Sequence, residues 1–180
     1  MYFNKLLGTI ERLKGVEKII RRTATRAIIV RNGKILLVHS KKGFYELPGG
    51  GVEERESYVD ALVREVAEET GYINCKVKNK IGVVTEKRKD CFEKNLYFQM
   101  DSHYYLCELL DEEKSSDQPD NYEWEPGTSA VWIEPAQARL ENQAALKGNA
   151  GFLFIHRENF VLGEVERIFG LVEEQEGITF

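Results

Sequence analysis

LPGGGVEERESYVDALVREVAEETGY, residues 47–72, decides how the chain is read. Pro48 ends a short preceding strand, FYEL (44–47), and Gly49, Gly50 and Gly51 form a loop. Ser57 with Asp60 makes a helix-capping pair, and Gly71 stands where a helix closes on a left-handed residue. Between these marks the helix collects Glu65, Glu68 and Glu69 in its last turns. That end already carries partial negative charge, so a carboxylate there costs a few tenths to about 1 kcal/mol.

A helix turns about 100° per residue, so with Glu65 at zero, Glu68 lies near −60° and Glu69 near +40°. The three carboxylates share one face. Val59, Leu62, Val63 and Val66 fall between roughly 60° and 160° and are expected to face the core, leaving the acidic cluster uncovered by it. A solvated acidic face is the ordinary account of a charge run. Two penalties weigh against it here: the adverse dipole, and like charges at i,i+3 and i,i+4 costing about 0.2–0.5 kcal/mol per pair. On sequence grounds no Lys or Arg inside the cluster offsets them. A divalent cation would remove both, since carboxylate oxygens are the ligands Mg²⁺ prefers.

Gly50, Glu56 after five residues, Arg64 after seven more, then Glu65, Glu68, Glu69 and Gly71 repeat the spaced signature of Nudix hydrolases, and the chain resembles that family. Tyr72 stands at the final, aliphatic position of the signature, which is a packing position. The resemblance implies a mixed α/β sheet sandwiched by helices. It also implies Mg²⁺- or Mn²⁺-dependent hydrolysis of a nucleoside diphosphate linked to another group. By the same resemblance Glu68 and Glu69 match metal ligands, Glu65 a ligand or general base, and Arg64 a residue orienting the carboxylates. Glu56 matches its helper, and the Gly50 carbonyl a further ligand. Glu123 and Glu125 are candidates for a carboxylate supplied by a downstream loop. The stretch VVTEKRKD (83–90) lacks the proline that ADP-ribose hydrolases of the family often carry after the motif, which weighs against ADP-ribose. A non-catalytic ligand-sensing module is the competing class, but such modules usually lose a motif carboxylate and this chain keeps all of them.

Working outward, TRAIIVRNGKILLVHS places two β-rich runs on either side of Asn32-Gly33, a strong hairpin signal. Residues 75–85 and 95–109 alternate as strands, AVWIE (130–134) reads as another, and Pro135 opens a helix through Leu146. Val161, Val165, Ile168, Phe169 and Val172 predict a C-terminal helix. Residues 1–22, with Leu6, Ile10 and Leu13 at helical spacing and six Lys or Arg against two Glu, predict a helical extension. The domain proper then runs from 23 to 180, C-terminal helix included. Either end offers a surface for a homodimer contact.

The 180 residues suit one domain, and a net charge of −5 gives no reason to expect nucleic acid as a partner. No run of about 20 apolar residues exists to span a bilayer and no signal peptide is evident, so a cytoplasmic protein without a membrane partner is expected. The three cysteines form no CxxC, which argues against zinc; Cys107 reads as a small buried hydrophobe. Arg26, Lys41 and Lys42 are candidates for phosphate contact. Phe44, Tyr122 and Trp124 are candidates for stacking on a small-molecule nucleotide.

Overall fold

The computed structural model describes residues 1–8, 18–89, 93, 95–114, 128–146 and 153–176. The hairpin at Asn32-Gly33 forms as expected. Both residues take positive φ, 50° and 73°, the type I′ geometry that matches strand twist. It joins β2 (Lys18–Arg31) to β3 (Lys34–His39) through the pairs Val30–Ile35 and Arg31–Lys34. The longer part of β2 runs parallel to β6 (Leu96–Leu109), with Lys18 opposite Leu96 and Ile29 opposite Cys107. β6 is antiparallel to β5 (Cys75–Lys89), and β1 (Phe3–Gly8) adds to β5 in parallel. β4 (Tyr45–Glu46) and β7 (Ser129–Ile133) both pair antiparallel with β3. The sheet order is β1-β5-β6-β2-β3-β4, with β7 joined to β3 off that path.

Side chains alternate across this sheet and make two cores. Ala27, Ile29 and Leu36 pack with Leu62 and Val66 of α1 (Tyr58–Thr70) and with Cys107, which is buried. Ile28, Ile35 and Leu37 face the other way, onto Ala138 of α2 (Pro135–Leu146) and Val161, Leu162 and Val165 of α3 (Leu153–Glu176). Period-two alternation in β2 and β3 thus places α1 on one face and α2 with α3 on the other. No helix among the described residues is long and apolar enough to cross a membrane.

Two expectations are corrected. Residues 3–8 form a strand rather than the opening of a helical extension, and the division at residue 22 falls inside β2. Ile10 and Leu13 lie outside the described residues. The cause is tertiary. The Phe3 ring lies where a Cβ on Gly82 would sit, 2.1–2.3 Å away, and contacts the rings of Tyr104 and Phe160 at 5.5 and 5.7 Å. That burial and the open edge of β5 outweigh three apolar residues at helical spacing. In α1 the buried side is Ala61, Leu62, Glu65, Val66 and Thr70, while Val59 is 47% exposed. The stripe is rotated by roughly 60° from its expected position, toward Glu65.

The Phe3–Gly82 fit yields a first prediction. Gly82→Ala should lower the urea midpoint by an amount equal to about 1–3 kcal/mol, and much less in a Phe3→Ala background, where the space is vacated. Equal losses in both backgrounds would show that β1 does not rest on this contact.

Candidate active site

Ser57 caps α1 by accepting the Asp60 N–H at 3.1 Å, and Gly71 closes it at φ 79° with its N–H on the Ala67 carbonyl. The glycine loop lies along the free edge of β2 as a short antiparallel seam. Ala27 N–H donates to the Pro48 carbonyl at 2.8 Å, Thr25 N–H to Gly50 at 3.0 Å, and Val52 N–H to Thr23 at 3.0 Å. This seam brings the loop over α1 and explains the rotated stripe. A Cβ on Gly50 would lie 2.4 Å from the Glu65 carboxyl carbon, so the loop backbone itself covers that carboxylate. Gly49 has φ 137°, and a Cβ there would sit 2.1 Å from the Thr25 carbonyl oxygen. The Gly50 carbonyl, a candidate ligand, is engaged by Thr25 N–H and retains one lone pair.

Arg64 is the hub of the acidic cluster. Its Nε and Nη2 donate to the two oxygens of Glu56 at 2.9 and 3.1 Å, a bidentate pair. Nη1 donates to Glu65 at 2.9 Å and Glu68 at 3.1 Å, and Nη2 also reaches the Gly51 carbonyl at 3.2 Å. The expectation that no cation offsets the cluster is therefore corrected: Arg64, next to Glu65 and one turn before Glu68, does so. Hydrogen bonding from Arg64, aided by the Glu53 N–H, holds the Glu56 carboxyl below its usual range.

Glu65 is only 6% exposed, and burial raises its proton affinity against the pull of Arg64, with Glu68 adding repulsion. Glu69 is pushed up to about 7, chiefly by burial. Arg26 and the Gly49 N–H, which donates to Glu69 at 2.7 Å, oppose that shift, while Glu65 and Glu46 add to it. Arg26 also donates to the carbonyls of Leu47, at 3.1 Å, and Gly49. Its place is under the loop, between the loop carbonyls and Glu69.

A second layer holds the loop from the opposite face of the sheet. Glu158 of α3, 1% exposed, accepts the Leu47 N–H at 2.9 Å and is held by Arg157, which also binds Glu86 at 2.6 Å. Asn142 of α2 bonds both the N–H and the carbonyl of Tyr45, at 2.8 and 2.9 Å.

Beside the cluster opens a cleft of about 660 Å³ lined by Arg21, Arg22, Thr23, Gly51, Val52, Glu53, Tyr58, Arg64 and Glu65. The sequence reading did not select Arg21, Arg22 or Tyr58. The sequence predicts a helical extension at Arg21 and Arg22; as residues of β2 they stand two and one residues before the stretch that pairs with the glycine loop. Lys41 and Lys42 are exposed on the turn between β3 and β4, outside the cleft lining. Phe44 is 1% exposed and packs edge-on against Phe154 at 5.9 Å, so it is a core residue, not a stacking surface. Tyr122, Glu123, Trp124 and Glu125 lie outside the described residues.

Among the described residues no three His, Cys, Asp or Glu side chains are gathered tightly enough to hold an ion as they lie. The donor set nonetheless fits a hard divalent cation. It is all oxygen, and burial and mutual repulsion drive Glu65 and Glu69 toward protonation, a cost that a cation would remove.

Two predictions follow from this geometry. Alanine at Gly49 should destabilise the chain by about 2 kcal/mol or more. At Gly50 it should cost less stability but displace Glu65, and at Gly51, where an added Cβ would meet nothing within 4 Å, it should be nearly neutral; thermal melts of the three variants test the order. Glu69 binds its proton more tightly folded than its ordinary value of 4.5 allows, so its contribution is present below about 4.5 and lost as pH rises through about 7. Metal-free Glu69→Gln should thus be more stable than the parent at pH 8, by about 1–2 kcal/mol, with the advantage gone at pH 4.5.

The family model that matches this chain is the NUDIX domain, over residues 21–154. An ADP-ribose pyrophosphatase of Methanocaldococcus jannaschii is 45% identical over 71 residues, 37% of this chain and 41% of that protein. The match therefore spans about two-fifths of that relative's length. A putative 8-oxo-dGTP diphosphatase of Bacillus subtilis is 30% identical over 119 residues, 64% of this chain and 73% of that one. A NUDIX hydrolase structure from Nitrosomonas europaea shares the fold at 21% identity and a TM-score of 0.50, covering 80% of this chain and 90% of that one. The chain belongs to the Nudix family.

Proposed function

We propose that the protein is a divalent-metal-dependent hydrolase. It cleaves a pyrophosphate bond in a nucleoside diphosphate linked to another group and releases a nucleoside monophosphate. The observation that carries this reading is the burial of Glu65 beneath Gly50 at the head of the cleft, with Glu68 and Glu69 on the same end of α1.

Glu65, Glu68 and Glu69, with the Gly50 carbonyl, are the groups that would hold Mg²⁺ or Mn²⁺. Bound there, the ion would polarise a phosphoryl oxygen and lower the pKa of a coordinated water. The chain's own residues supply the rest. Arg64, fixed by Glu56, gathers Glu65 and Glu68 at one end of its guanidinium, from which a cation would draw them. Glu65 has raised proton affinity and lines the cleft, which suits it to take a proton from the attacking water. The Gly49 N–H and Arg26 fix Glu69 from below.

The relative named ADP-ribose pyrophosphatase and the relative named 8-oxo-dGTP diphosphatase set the substrates to try first. The missing proline at 83–90 weighs against ADP-ribose, whereas the 45% identity over 71 residues favours it, so both relatives' substrates belong in one panel with nucleotide sugars and dinucleotides.

Hydrolysis should require Mg²⁺ or Mn²⁺ and stop on chelation. Glu69→Gln should lower kcat by about a hundredfold or more, while Lys41→Gln leaves it unchanged. Chromatography of the products should show a nucleoside monophosphate. Equal turnover by parent and Glu69→Gln would place the chemistry elsewhere.

A further inference from the structure

The cleft carries two features that the proposed hydrolytic residues do not use. Of its cations, Arg64 is committed to Glu56, Glu65 and Glu68. Arg21 is exposed and makes no ion pair among the described residues. Arg22 rests its guanidinium over the Phe98 ring at 5.9 Å, on the face of β2 that Ile28 shares. Consecutive strand residues project to opposite faces, so it is Arg21, in phase with Ala27 and Ile29, that stands on the α1 side of β2 and offers the cleft a cation in a chain of net charge −5. At the first residue of α1, Tyr58 is 40% exposed and its ring is fixed by the His103 ring at 4.8 Å and 51°. His103 is itself held by Lys80, whose Nζ lies 2.6 Å from Nδ1. A fixed, half-exposed aromatic ring beside an arginine that makes no ion pair suits a ligand with a flat ring at one end and phosphate at the other. The cleft volume is that of a small-molecule site.

We propose that Arg21 and Tyr58 form the nucleotide subsite of the cleft, Arg21 binding the diphosphate and Tyr58 stacking on the base of a nucleoside diphosphate. This rests on the cleft being the substrate site, but binding can be read without turnover. Arg21 comes from β2 and Tyr58 from α1, so the subsite bridges two elements that the glycine-loop seam holds together. Recognition by stacking tolerates different bases, because every base presents a flat face.

The test is calorimetric titration of the full chain with ADP and, separately, with inorganic pyrophosphate, in Ca²⁺ to suppress hydrolysis. Arg21→Gln should weaken both ligands about tenfold or more. Tyr58→Ala should weaken ADP about tenfold and leave pyrophosphate unchanged, while Tyr58→Phe should bind both as the parent does. Lys34→Gln, at the exposed start of β3, serves as control. Parental affinity in Arg21→Gln, equal loss of both ligands in Tyr58→Ala, or no ADP binding by the parent would overturn the proposal. Binding with this pattern but without turnover of any member of the substrate panel in Mg²⁺ would instead overturn the hydrolase reading and leave the subsite standing.

Discussion

Three backbone hydrogen bonds between β2 and residues 48–52 set the position of everything in the cleft. They convert a glycine loop, which free in solution would sample many conformations, into an added strand edge at fixed height above α1. Gly49 is required because the seam needs φ 137° and a backbone approach that leaves no space for a Cβ. Gly50 is required because the Glu65 carboxylate fills the place where its Cβ would be. The same seam rotates the buried face of α1 toward its acids, so a charged residue becomes part of the interior at the point where the loop crosses the helix.

Burying carboxylates at the C-terminal end of a helix stores unfavourable electrostatic energy, and the chain contains it with two arginines. Arg64 joins Glu56, Glu65 and Glu68 on the cleft side, while Arg26 lies under Glu69 and the loop carbonyls. The compensation is incomplete, since Glu65 and Glu69 remain shifted toward protonation. An arrangement held short of neutrality is one that a divalent cation stabilises on binding, because each shifted carboxylate then ionises against a full charge.

Much of this was legible before the structure. Ser57, Asp60 and Gly71 marked both ends of α1 through local chemistry, Asn32-Gly33 marked the hairpin by its need for positive φ, and Pro135 marked the start of α2. Each signal acts over a few residues. What was not legible depended on contacts distant in sequence. β1 exists because Phe3 fits over Gly82, and β2 extends back to Lys18 because β6 lies alongside it. Placing residues 1–22 in a helix removed Arg21 and Arg22 from consideration as cleft residues. Phe44 looked available for stacking until Phe154, over a hundred residues later, was seen to cover it. Glu158 and Asn142 carry no local mark of their roles, since their partners are backbone groups at Leu47 and Tyr45.

The central claim is that the acids at the end of α1 are placed for a cation. Anomalous diffraction from crystals grown with Mn²⁺ tests it most directly. The account predicts an anomalous peak within coordination distance of oxygens from Glu65, Glu68 and Glu69, with Arg64 still paired to Glu56. Crystals diffracting to the same limit with Arg64 still bridging Glu65 and Glu68, and no anomalous density at this end of α1, would contradict it.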